Sequence, residues 1–227
     1  MLVLFTGGRG SGKSTIAYAL YKKLNEENFD YVHQSTWRDQ TKNIYEKIGW
    51  IMYFLTFFRP RICKVFLSRL YRDIRNGRAK GSFGRVYMPC VFSYHLRRLS
   101  QNKEVCVVYD SDFLTWAADK ALDGVFNPSE VRDFYTRVVL PFVGDIVVVV
   151  CDTPVQVAVE RWRIRDKKTL SLDEVRKWVE NRTAWKHARK EVVDVVSTIS
   201  GVSVVYLNGQ DEPNKNAHQI MTTLQKQ

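Results

Sequence analysis

Short apolar runs alternate along this chain with stretches in which apolar positions recur every three or four residues. That alternation predicts a mostly parallel sheet with helices packed against it. Leu2–Thr6, Tyr31–Ser35, Val105–Tyr109, Asp145–Cys151 and Val202–Leu207 are the five candidate strands. The fourth is the plainest, because an isoleucine and four valines follow one another before Cys151. Such β-branched side chains suit a strand covered on both faces. Among the helices, Ser14–Glu26 sets Ile16, Leu20 and Leu24 on one side. Asn127-Pro128-Ser129-Glu130 starts a helix that runs to about Leu140, and Thr153-Pro154-Val155-Gln156 caps one reaching about Arg165. Ser171-Leu172-Asp173-Glu174 is a capping box that opens a long helix toward Ser197, and Ala217–Gln225 closes the chain.

The stretch 40–100 breaks this alternation. It reads as helices over Gln40–Phe58, Arg61–Arg75 and Arg85–Leu99, separated by Pro60 and by the glycine-bearing loop Arg78–Gly84. With no repeat or low-complexity linker on either side, it reads as a helical insertion within a single domain spanning 1–227. Its apolar run Gly49–Phe58 ends at Arg59-Pro60-Arg61 and is too short to span a bilayer.

Directly behind the first strand stands Gly7-Gly8-Arg9-Gly10-Ser11-Gly12-Lys13-Ser14-Thr15, the G-x-x-x-x-G-K-[ST] pattern of a P-loop, followed by a helix. Glycines let backbone amides curl around phosphate oxygens, and the helix N-terminus adds partial positive charge. Lys13 would reach the β- and γ-phosphates and Ser14 would hold Mg²⁺, with Thr15 beside it. The expected fold class is therefore an α/β P-loop NTPase, a doubly wound parallel sheet of about five strands with a helical insertion and a lid.

Charge adds a second theme. The chain carries a net +11 over 227 residues, and the segment from Arg59 to Arg98 holds eleven Lys/Arg against one acid, Asp73. A local field of this kind attracts phosphorylated ligands or polyanions. Tyr71, Phe83, Tyr87, Phe92 and Tyr94 are interleaved with it and could stack on bases, which keeps nucleic acid in view as a partner. The four cysteines are scattered with no C-x-x-C pair, so the expectation is a cytoplasmic protein without a zinc or disulfide framework and without a signal peptide ahead of the first strand.

Three features narrow the chemistry. Asp110 ends the third strand, where a carboxylate faces the ligand crevice and can anchor Mg²⁺ or take a proton from an attacking hydroxyl; Asp112 could share that role. Arg161 and Arg165 lie four residues apart on one helical face, with Arg163 pointing elsewhere, and could close over a moving phosphoryl group. Finally, neither Asn102-Lys103-Glu104-Val105 nor Asn214-Lys215-Asn216-Ala217 completes the N-K-x-D signature that reads guanine, which argues against a GTPase.

Together these residues resemble the thymidylate kinase group of P-loop nucleoside monophosphate kinases. The similar parts are Phe5–Thr15, the hydrophobic strand ending in Asp110, Asp145–Asp152 with Thr153-Pro154, Val157–Arg161 with Arg165-Asp166, and Val204–Gly209. The resemblance implies ATP as donor, a lid around 161–172, Asn208 on the adenine side, and an acceptor site formed by the insertion at 40–100. Two positions depart from that group. Ser111 follows Asp110 where the group has Arg, and Arg9 stands where it usually has an acid. Both lie on the acceptor side. The expectation is an ATP- and Mg²⁺-dependent phosphotransferase acting on a nucleotide, a nucleoside or another small acceptor, with homodimerisation left open. The alternative is a nucleic-acid-binding P-loop ATPase or polynucleotide-end kinase that uses the segment 59–98.

Overall fold

The apolar runs form five parallel strands: β1 (Leu2–Thr6), β2 (Tyr31–Gln34), β3 (Cys106–Tyr109), β4 (Ile146–Asp152) and β5 (Val202–Asn208). Their order across the sheet is β2-β3-β1-β4-β5. β1 pairs with β3 from Leu2 opposite Val107, and with β4 from Leu2 opposite Ile146 to Thr6 opposite Val150. Every residue of β1 is buried, as is β4 up to Cys151, which fits strands covered on both faces. The computed structural model describes residues 1–26, 31–34, 71, 75, 106–109, 114–115, 117–118, 128–165 and 171–225.

Six helices are bounded among the described residues: α1 (Lys13–Glu26), α2 (Pro128–Phe134), α3 (Leu140–Val143), α4 (Val155–Arg165), α5 (Leu172–Ser197) and α6 (Pro213–Leu224). Ile16, Leu20 and Leu24 of α1 join Ala217, Ile220, Met221 and Leu224 of α6 in one core with Val3, Phe5, Val147 and Val149 of the sheet. α2 and α3 are joined by a π-helical stretch, Tyr135–Val139, in which the Leu140 N–H donates to the Tyr135 carbonyl. Pro141 explains the widening. It has no N–H, and in α geometry its ring would press on the carbonyl four residues back, at Arg137.

The chain divides into two compact units, Met1–Ser35 with Asn102–Gln227, and Thr36–Gln101. The first carries the sheet and the six helices named above. In the second, Tyr71 and Arg75 are helical and exposed. The expected helices over 40–58 and 85–99, the remainder of 61–75 and the other basic positions of 59–98 lie outside the described residues. So do Asp110, Asp112 and residues 166–170 of the expected lid. No helix among the described residues is long and apolar enough to cross a membrane.

Candidate functional site

The strand order reverses about β1, so the loop that leaves β1 opens into the crevice where ligands of doubly wound sheets bind. Two of its glycines are required by backbone geometry. Gly10 and Gly12 have φ of 80° and 85°, and a Cβ on Gly10 would also strike the Ala158 carbonyl. Four loop carbonyls are occupied by protein donors. Gly8 accepts from the Ser11 N–H at 3.2 Å and Gly12 from the Ile16 N–H at 3.0 Å. Arg9 accepts from Arg182 Nη2 at 3.1 Å, and Ser11 from the buried Thr153 Oγ1 at 3.1 Å. Acceptors of the loop are thus tied to the scaffold where the N-terminus of α1 brings its partial positive charge, which is the polarity of an anion cradle.

The cradle opens into a cleft of about 530 Å³ lined by Gly8–Ile16, by Arg161 and Arg165 of α4, and by Gly209–Pro213. Its lining carries four cations, Arg9, Lys13, Arg161 and Arg165, and two acids, Asp211 and Glu212, with the Asp211 carboxylate paired to Lys215 at 3.1 Å. Arg161 is held by a 2.8 Å bond from Nη1 to the Gly209 carbonyl, and the Gly209 N–H donates to the Asp152 carbonyl at 2.8 Å. A side chain at Gly209 would collide with Thr153 and with the Ser11 carbonyl, so β5's exit loop lies against the cradle. Asn208 shapes that exit: its Oδ1 accepts from the Gln210 N–H, and its carbonyl accepts from the buried Asn216 side chain.

α5 supports the far side. Arg189, nearly fully buried, donates to the Cys151 carbonyl at 3.1 Å and to Asp152 Oδ1 at 3.2 Å, while Lys186 reaches the same carboxylate oxygen at 2.8 Å. Burial pushes the Cys151 thiol up to about 12, against the smaller opposing pull of Lys13 and Arg189.

Of the residues singled out by sequence, Gly8, Arg9, Gly10, Ser11, Gly12, Lys13, Ser14, Thr15, Arg161 and Arg165 line one cleft. Gly7 and Asn208 do not line it and instead shape the backbone beneath and beside it. Asp110 lies outside the described residues, although β3 ends one residue before it. Arg163 turns away and forms a bidentate pair with Glu160 on the same helix, at 2.8 and 3.0 Å. Sequence reasoning missed Arg182, Lys186 and Arg189, and read Thr153 as a helix cap without its bond to the loop. The available signal was the spacing of Trp178, Arg182, Trp185 and Arg189, one stripe of α5 in which aromatic and cationic residues alternate.

No family model and no curated protein sequence matches this chain. Among solved structures, it is similar to deoxyadenosine kinase from M. mycoides with the products dCMP and a flexible dCDP bound, at 15% identity and a TM-score of 0.51, covering 100% of both chains. It is likewise similar to the YorR protein from Bacillus subtilis in complex with phosphorylated GDP, at 12% identity and a TM-score of 0.51, covering 99% of this chain and 96% of that one. At these identities the likeness establishes the fold alone.

Proposed function

We propose that this chain is an ATP-dependent phosphotransferase that moves the γ-phosphate of ATP to a small acceptor of the nucleoside or nucleotide class, akin to the thymidylate kinase group. The observation that carries the reading is the single cleft in which a P-loop, two arginines of α4 and the exit loop of β5 meet. The solved structures of like fold, described with dCMP and dCDP and with phosphorylated GDP, support the acceptor class.

In this reading the loop amides and Lys13 hold the β- and γ-phosphates. An acceptor oxygen bonds to the γ-phosphorus as the bond to the β–γ bridging oxygen breaks and ADP departs. Asp110 either takes the acceptor's proton or serves as an anchor for the metal. Arg161 and Arg165 offset the charge that gathers on the moving group. The exposed Ser14 hydroxyl in the first turn of α1 suits Mg²⁺, which takes most of its ligands from phosphate and water; when bound, the ion neutralises β- and γ-oxygens. Residues 1–227 act as one kinase domain of a reducing cytoplasm, with 40–100 as the acceptor-side insertion and 161–172 as the lid.

The charge of segment 59–98 favours a second reading, an ATPase or end-kinase that grips nucleic acid. The deciding experiment offers ATP labelled at the γ-phosphate to a panel of nucleosides, nucleoside monophosphates, sugars and oligonucleotide ends. Label on a nucleoside or monophosphate, lost in Lys13→Ala, is the expected result. Label released only as free phosphate, with DNA or RNA stimulating that release, would establish the second reading instead.

A further inference from the structure

Trp178, Arg182 and Trp185 share a face of α5, and the Arg182 guanidinium lies against both rings, 5.6 Å from the Trp178 centroid and 5.8 Å from that of Trp185. Ring faces attract a cation, and packing between two of them leaves the side chain few rotamers. Arg182 spends that rigidity on the phosphate loop. Its Nη2 donates to the Arg9 carbonyl at 3.1 Å, and its Nη1 occupies the space that a side chain on Gly8 would need. Trp178 in turn stacks on Trp162, with centroids 3.9 Å apart, and Trp162 is buried in α4 directly after the cleft residue Arg161.

The geometry points to Arg182 as a positioning residue for the phosphate loop, one that holds the Arg9 carbonyl toward α5 so that the loop's amides stay turned to a triphosphate. The Trp162–Trp178 stack ties that setting to the helix that carries Arg161. This rests on the proposed reading of the loop as a phosphate cradle. Arg182 acts through the backbone of Gly8 and Arg9 and need not touch the nucleotide. Lysine replaces it only in part, because a compact ammonium cannot lie flat between two rings and keep a forked reach.

The test titrates ATP and AMP separately into the wild type, Arg182→Ala, Arg182→Lys and Gly8→Ala, with nucleotide-free melting as the control for folding. AMP keeps the base, the sugar and the α-phosphate but lacks the β- and γ-phosphates that the loop is read to hold. Arg182→Ala is expected to weaken ATP about tenfold, the scale of one charge-assisted hydrogen bond, and to leave AMP within about twofold. Arg182→Lys falls between the two. Gly8→Ala, whose methyl displaces the guanidinium, shows the same phosphate-selective loss, and the double variant is no weaker than either single one. An equal loss for ATP and AMP, or unchanged ATP affinity in folded Arg182→Ala, overturns the inference. A wild type that binds ATP no more tightly than AMP would instead sink the cradle reading, so the two failures are distinct.

Discussion

Gly10 concentrates two constraints at one position. Its φ of 80° belongs to the left-handed region, and its missing side chain admits the Ala158 carbonyl. Gly10→Ala meets a backbone penalty of roughly 1–2 kcal/mol before the collision is counted. Relief requires the loop or α4 to move, so the variant is expected to lose both stability in urea unfolding and affinity for ATP. Wild-type stability and affinity in Gly10→Ala would contradict the observed loop geometry. Cys151 makes a different residue-scale prediction. Its thiol titrates at about 12 in the folded chain, against an ordinary value of 9.0. Above pH 9 the unfolded chain loses a proton that the folded chain keeps, so stability falls as pH rises from 9 toward 12. The slope from this one group is at most about 1.4 kcal/mol per pH unit. Cys151→Ala removes that contribution, and its unfolding midpoint should decline less steeply than the wild type's on the alkaline side. Parallel declines would show that Cys151 is not protonated by burial.

At the scale of elements, α5 depends on its start. Ser171 Oγ accepts from the Glu174 N–H at 3.3 Å, and Glu174 Oε2 accepts from the Ser171 N–H at 2.8 Å. Ser171→Ala is expected to cost about 1 kcal/mol of unfolding free energy and to speed amide exchange first in the turn after Leu172. Unchanged exchange there would mean that packing alone holds the first turn. This capping box was legible in the sequence because its partners are three residues apart. The strands were legible to within one or two residues for a similar reason, since buried parallel strands are short unbroken apolar runs. The π-helical stretch was not: a continuous helix to Leu140 was expected, and the proline that widens it lies beyond that end. α6 begins at Pro213 rather than near Ala217, because its opening turn carries a buried asparagine bonded to Asn208 in place of an apolar residue. The phosphate loop itself was legible because it is contiguous. Its supports were hidden by distance along the chain: Thr153 and Arg182 bond to carbonyls 142 and 173 residues away. Nothing in a helical stripe of tryptophan and arginine announces which loop it will meet.

At the scale of the whole molecule, the charge map and the cleft make opposing demands that salt can separate. The segment 59–98 carries nearly all of the net +11, whereas the cleft lining mixes four cations with two acids. Binding of ATP to a built cleft is short-ranged and only modestly screened, while binding of a nucleic-acid strand to dispersed basic residues rests on counterion release. ATP held at about a hundred times its dissociation constant adds about 2.7 kcal/mol to the folded state. For a chain of this size that raises the melting temperature by roughly 5–11 °C. This shift is expected to persist at about 0.3 M salt, where the Debye length is well below 10 Å. A small phosphate-accepting partner should then add to it in the presence of ADP or of a non-transferable ATP analogue, because acceptor and donor occupy one folded state. A single-stranded oligonucleotide should give a shift only at low salt. The contrary pattern would be oligonucleotide affinity that falls steeply with salt, by about 0.7 in logarithmic slope for each phosphate neutralised, together with a shift at physiological salt larger than that of ATP. In that event the basic segment is a nucleic-acid grip, and the phosphate loop serves a hydrolytic cycle instead of a transfer to a small acceptor.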